Sequence, residues 1–362
     1  MKSISVKPIA LFVAAALAMG ACKKNNHNDA PAGGQDARML ADLLNSHAPK
    51  FESFTVDGAA GGTITTSKGT KFHVAANAFV TASGQPVTGP VTLSIREILN
   101  VSGMILADKA TVTSDGRLLE SYGEFFVKAA QGSQALGLQR NNDSGIRVQV
   151  PARAAANGAN KEVPMWSGDT TITLTQYGYN HINQPVTLTS QIAAQKGVAW
   201  NQIPSSFAFF NSANGSMDFR LDSLLHWLNC DAIASLPNPK TTVMAYFTNH
   251  FNNETASSYG GEQPSMLFFK PKNMNTLVKF YNVIMSAPSG KEGFHSYQAS
   301  ISVGMEGTFL AISAVNGQFY AEQKTVVIGA PAGTDNYTTV SFDLQPVDAN
   351  GLLTLINSMN SK

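Results

Sequence analysis

The chain has 362 residues, with 25 basic and 24 acidic side chains and charged residues at only 14% of the total. That balance excludes the basic surplus expected of a nucleic-acid binder, and a charge content far below the usual level of about 25% argues against a helical bundle. The length sets a prior of about two domains, each able to bury a core of its own.

The first residues, "MKSISVKPIALFVAAALAMGACKK", place Lys2 and Lys7 ahead of an apolar run, Ile9 to Met19, that ends in Gly20-Ala21-Cys22. Such a run is shorter than the roughly 20 apolar residues needed to span a bilayer, so residues 1–21 read as an export signal. Its ending resembles the lipobox of bacterial lipoproteins, which implies acylation of Cys22 and a lipid bilayer as the first partner. The polar stretch "KKNNHNDAPAGGQDA" that follows has too little apolar surface to order itself. Residues 22–50 are therefore expected to form a lipidated tether ending in a short helix. Lys23 after the cysteine, by resemblance to general sorting rules, favours the outer membrane. Beyond Cys22 only Cys230 remains, so an internal disulfide is impossible and the fold must stand on packing.

In chain order, "DARMLADLLNSH" groups Met39, Leu40, Leu43 and Leu44 on one helical face. Period-two alternation then takes over: Val91, Leu93 and Ile95; Ile146, Val148 and Val150; Ile172 and Leu174; Val340, Phe342 and Leu344. Each set predicts a half-buried antiparallel strand. Turn signals separate them at 81–86, 113–117, 211–216 and 315–318, where Asn-Gly and Asp-Gly pairs tolerate positive φ. "TLVKFYNVIM" fits helix or strand, and "NGLLTLINSM" predicts a last helix with Asn350 as N-cap. The expected fold is mainly β: two antiparallel β-sandwich-like domains with a few short helices, spanning 51–190 and 200–362.

The stretch "DGAAGGTITTSKGTKFHVAANAFVTASGQPVTGPVTLSIREI" resembles the ZU-five domain of ankyrins and netrin receptors through Gly61-Gly62, Gly69, Ala76-Asn77-Ala78-Phe79, Gly89-Pro90-Val91 and Glu97. The later segments "LLHWLNCDAI" and "SVGMEGTFLAISAVNGQFYAEQKTVVI" look like bacterial lipoproteins that carry this domain. The resemblance covers most of residues 55–330 and implies a β-sandwich in a cell-envelope lipoprotein without a known reaction. Some relatives cleave themselves at His-Phe-Ser; here the order is Phe294-His295-Ser296, and Phe72-His73 is followed by Val74, so self-cleavage is not expected.

The stretch most like a site is "HWLNCDAI". Cys230 has His226 four residues before it, but adjacent Asp231 disfavours a thiolate. Trp227, Asn229, Cys230 and Asp231 are therefore expected to be structural, with the polar pair bonding backbone amides at a strand-to-turn transition. The histidines form no metal-binding spacing, and Asp348 and Asn350 make a turn rather than a calcium loop. No catalytic residue, metal or cofactor is expected. Dispersed carboxylates, with Glu97, Asp108, Glu120 and Glu124 as candidates, leave a hydrolase as one alternative. The other is a carbohydrate-binding accessory lipoprotein that uses Trp166, Tyr177, Tyr179 and Trp200 as a platform at the domain junction. The leading expectation is a non-catalytic outer-membrane lipoprotein serving as an interaction or scaffold module, with a protein or glycan partner.

Overall fold

The computed structural model describes residues 32–139, 145–151, 162–169, 171–179, 185–193, 199–211, 215–221, 224, 227–234, 236–256, 263–332 and 336–362. The export signal, Cys22, most of the tether and His226 lie outside the described residues. No helix among those described is long and apolar enough to cross a membrane.

The protein is mainly β, with three short α-helices among the described residues. Its first unit is an 11-stranded antiparallel sheet. In chain order the main strands are β1 (Glu52–Asp57), β2 (Gly62–Thr65), β3 (Lys71–Val74), β4 (Pro90–Ile98), β5 (Leu119–Gln131), β6 (Ile146–Pro151), β7 (Glu162–Asp169), β8 (Ala199–Asn211), β9 (Ser216–Leu221) and β10 (Trp227–Ile233). Across the sheet they run β1-β4-β5-β10-β7-β8-β9-β6-β3-β2, with the short strand Gln134–Ala135 appended to β5. The two edge strands return to one another at the bridge between Asp57 and Gly61. Alternation explains the interior: Val91, Leu93 and Ile95 from β4 and Ile146, Val148 and Val150 from β6 join Phe72, Phe125 and Phe219 in one core.

Three strands that follow residue 199, namely β8, β9 and β10, pair with β7, β6 and β5. The break expected between 190 and 200 therefore falls inside the first sheet, whose last strand ends at Ile233. Sequence gave no warning, because strand periodicity reports a face and not which sheet the face belongs to. Between β7 and β8 the chain makes a hairpin of Thr171–Tyr179 and Pro185–Ala193.

A second unit stacks two five-stranded sheets. One is built around β11 (Lys240–Phe247), the other around β12 (Ser265–Pro271), β13 (Glu306–Val315) and β14 (Gln318–Val327). Val243, Phe247, Leu267, Phe269, Phe309 and Phe342 fill the space between them. The pairing is not wholly antiparallel, since β15 (Tyr337–Phe342) runs parallel to β11. The ambiguous "TLVKFYNVIM" contains two short strands, Val278–Lys279 and Asn282–Val283.

Helix α1 (Ala32–His47), α2 (Val101–Leu106) and α3 (Ala349–Ser358) gather on the outer side of the β12–β14 sheet. Leu40, Leu44, Met104, Ile105, Leu352 and Ile356 pack there against Phe268, Leu310 and Ile312. The N-cap of α3 is Asp348, whose side chain accepts from Gly351 N, and not the expected Asn350. The first turn starts two residues earlier, which satisfies one of the otherwise orphaned N–H groups at the helix start.

The units are joined by a polar seam as well as by apolar packing. Thr111 N donates to Leu277 O, Ser121 N donates to Asn275 O, and the Asn275 amide donates to Leu99 O and Ser121 O.

Candidate functional site: a basic and aromatic groove

Chemistry first fails where the sequence looked most reactive. On β10, Asn229, Cys230 and Asp231 are all fully buried. Cys230 sits opposite Gly123 and Met165, packed into the core of the first sheet. Burial, with Asp231 adding to it, pushes the Cys230 thiol well up, so it is held as a neutral thiol. Asn229 and Asp231 lie within the strand rather than at a turn, and their side chains bond to each other: Asn229 Nδ2 donates to Asp231 Oδ2. Ser121 Oγ donates to Asn229 Oδ1 at 3.2 Å. Trp227 packs on Phe126 at 5.4 Å between ring centroids, with Arg96 and Lys109 each 5.5 Å from its ring.

Of the candidate carboxylates, one is buried beside a second acid, a pairing with no signal in the sequence. Glu124, on β5, is opposite Asn229 and close enough to Asp231 for the two acids to repel. Burial drives both upward, Asp231 to about 8 and Glu124 well above its usual range, with Lys109 and Arg96 pulling Glu124 back. Neither Glu124 oxygen has a hydrogen-bond partner among the described residues. Burial favours the protonated form of both acids and seals them from solvent.

The remaining candidate carboxylates do not converge. Glu97 pairs in register with Phe125, whereas Glu124 pairs with Ile98; the period-two rule puts them on opposite faces. Glu97 accepts from Thr66 Oγ1 at 2.7 Å, and Asp108 is bound to Lys279 Nζ at 2.5 Å. Glu120 lines a cavity of about 700 Å³ between the units, together with Tyr122, Lys68 and Lys270. Burial first, and the Glu120 charge second, raise the Tyr122 hydroxyl to about 12, while burial lowers both lysines.

The aromatic platform is corrected by the same burial. Trp166 and Trp200 are 1% and 0% exposed, and each indole N–H is spent on a backbone carbonyl: Trp166 Nε1 on Asp231 O at 2.9 Å, Trp200 Nε1 on Ala110 O at 2.8 Å. They pack with Leu119 and Trp227 as an internal aromatic cluster and cannot stack on a ligand. Tyr177 and Tyr179 lie on the hairpin strand Thr171–Tyr179, and their side chains fall outside what is described.

An accessible concave surface lies elsewhere. A groove of about 810 Å³ runs over β2, β3, β6, β9 and β8. Strand register lines up two rows across it. Thr63 is opposite His73, His73 opposite Arg147, and Arg147 opposite Arg220. Two residues along, Thr65, Lys71, Gln149, Asp218 and Phe209 stand in the same succession.

Hydrogen bonds tie the rows together. Thr63 Oγ1 and His73 Nδ1 are 2.9 Å apart, and His73 Nε2 is 2.8 Å from Gln149 Oε1. Asp218 accepts from Gln149 Nε2 at 3.1 Å, Arg147 Nη2 at 2.9 Å and Ser216 Oγ at 2.6 Å. Partial burial works to raise the Asp218 carboxyl, and these donors outweigh it, holding it below the usual range. At one end Phe209 is 51% exposed and Phe207 adds a second ring to the wall. Sequence reasoning passed over these residues because cross-strand neighbours come from distant segments, as with Lys71 opposite Gln149 and Arg147 opposite Arg220. The alternation in "GIRVQV" placed Arg147 outside, but only register places Arg220 beside it.

The fold and this surface define a β-rich protein with an open groove on its first sheet and buried reactive groups. No family model, curated protein or solved structure matches the chain.

Proposed function

We propose that the protein is a lipid-anchored, non-catalytic binding module of the bacterial cell envelope, held at the outer membrane through acylated Cys22. The observation that carries the binding role is the groove, where a half-exposed Phe209 shares one wall with Phe207, Arg147 and Arg220. Exposed aromatic rings next to arginine are the residue types that dominate binding energy at interfaces. The sealed state of Cys230, Asp231 and Glu124 supports a role without covalent or acid–base chemistry. The anchor reading rests on the lipobox-like ending of the export signal and the resemblance to envelope lipoproteins.

Two measurements test this. Labelled palmitate is expected to enter the wild-type protein and not Cys22→Ala; equal incorporation overturns the anchor. A photoreactive phenylalanine analogue at position 209 of the full-length protein is expected to give a shifted adduct in intact cells. The same analogue at Val327, which is 63% exposed in the second unit, serves as the reference. Adducts at both positions, or at neither, overturn the groove as the binding surface.

A further inference from the structure

We propose that the cavity beneath α1 binds a single-chain amphiphilic carboxylate of medium length, its carboxylate held by Arg96 and Lys109 and its hydrocarbon chain by the apolar lining. This site is separate from the groove and does not depend on the role given to it.

The cavity holds about 340 Å³ between α1, the end of α2, β4 and β12. Strand alternation explains why a cation stands there. On β4, Leu93 and Ile95 turn into the core, so Arg96 faces outward, in register with Phe126, which is in turn opposite Trp227. The helices wall in that side, because their own apolar residues must be buried. Arg96 is thereby held half-buried beneath a helix instead of standing free in solvent.

Lys109 follows α2 and lies as far from the Trp227 ring as Arg96 does, 5.5 Å. Burial, chiefly, and the neighbouring Arg96 charge lower the Lys109 ammonium, against the pull of Asp108 and Glu124. Among the described residues no acid forms an ion pair with either cation. Lys109 Nζ donates to the backbone at Asp108 O, 3.2 Å away, and the buried Arg96 Nε has no hydrogen-bond partner. The two acids whose charges reach this pair are committed or sealed: Asp108 is bound to Lys279, and neither Glu124 oxygen makes a hydrogen bond. Cations withdrawn from water without a bound acid are costly. An anion in the cavity supplies what they lack, and the planar guanidinium fork fits a carboxylate.

Size and lining then choose among anions. A water takes up about 30 Å³ and a methylene is about as large, so the cavity accommodates about eleven non-hydrogen atoms. Sulfate or phosphate would fill less than half of it, and a two-chain phospholipid would exceed it several-fold. Leu40, Leu44, Leu106 and Met266 line it, and all four are buried. An apolar lining with a few convergent polar groups is the usual form of a small-molecule site. A carboxylate carrying a chain of about eight to ten carbons meets both demands.

The test adds carboxyl-labelled decanoate to the full-length protein in nonionic detergent micelles and follows the carbon-13 signal by NMR. Micellar decanoate gives one carboxyl signal with or without protein. A bound molecule is expected to add a second signal, which stays ionised at a pH where the micellar one protonates. Arg96→Gln and Lys109→Gln are each expected to weaken this binding by about tenfold or more. Ala41→Trp, which fills the cavity from α1, is expected to abolish it, and Lys291→Gln, in the second unit, to leave it unchanged. Thermal melts verify that the variants fold; should one cation variant fail, the other and Ala41→Trp carry the comparison.

Absence of a second signal in the wild type, or its survival in all the cation and cavity variants, overturns the proposal. Displacement of decanoate by equimolar decanol overturns it too, since the cavity would then be merely apolar. Displacement by equimolar phosphate does the same, since the chain would then be irrelevant. None of these results touches the groove, whose reading falls only by the absence of a specific adduct at position 209.

Discussion

Asp231 shows how one buried carboxyl gives the protein a pH dependence. Its folded value is about 8 against 3.8 for an unperturbed group, so between those values the folded chain holds a proton that the unfolded chain has released. Stability therefore declines as pH rises through that window. His295 acts in the opposite sense: burial lowers it from 6.5 to about 4, which makes stability increase with pH up to about 6.5. Above that the histidine contribution is complete, and the acids on β5 and β10 decide the slope. Urea denaturation of the wild type is expected to show stability falling between pH 6.5 and 8, by at most about 1.4 kcal/mol per pH unit for one group. Asp231→Asn should flatten that slope; an unchanged slope would mean that Asp231 is ionised in the folded protein. Cys230 gives a second check, since iodoacetamide at neutral pH should label it after denaturation and leave it unmodified in the native state. Residue types and spacing made burial of this thiol legible, because a lone cysteine next to an acid lacks an activating charge. They offered Glu124 only as one of several dispersed carboxylates and did not disclose its burial beside Asp231, which strand pairing alone brings to it.

At the scale of elements, α1 illustrates what holds the first helix to the body. Its apolar stripe was readable, and Leu40 and Leu44 are indeed buried. The polar attachment was not: Asp36 is buried and accepts from Asn316 N at 2.8 Å, Gly317 N at 2.7 Å and Asn252 Nδ2 at 3.3 Å. It thereby closes over the tight turn between β13 and β14, where Asn316 and Gly317 both have positive φ. Hydrogen bonds to a charged group contribute about 1.5–3 kcal/mol each, so Asp36→Ala is expected to loosen the helix. Amide exchange in residues 32–47 should accelerate while exchange in β12 and β13 stays unchanged. Uniform acceleration across the second unit would show that α1 is integral to that unit's stability and not a docked strap. Helix α2 had no sequence signature at all. Every one of its six residues is buried, so it shows no amphipathic stripe, and its start is marked only by Asn100 accepting from Gly103 N.

For the whole molecule, the seam between 111–121 and 275–277 couples the two units, and the helix layer spans both. Calorimetry is expected to show one cooperative transition. Asn275→Ala, which removes the donor to Leu99 O and Ser121 O, should lower its midpoint by leaving those carbonyls unpaired. Two resolved transitions in the wild type would contradict coupling of this kind.

Alternation of side chains and turn chemistry are local properties, and from them the sequence determined a mainly β body, several strand faces, the tight turns and the first and last helices. Which strands share a sheet, and hence the passage of β8, β9 and β10 into the first unit, was decided by pairing between distant segments. The same holds for the groove. Arg147 and Arg220 are 73 positions apart in the chain and become neighbours only when β6 and β9 align, because a period of two fixes the face of a residue but not its partner.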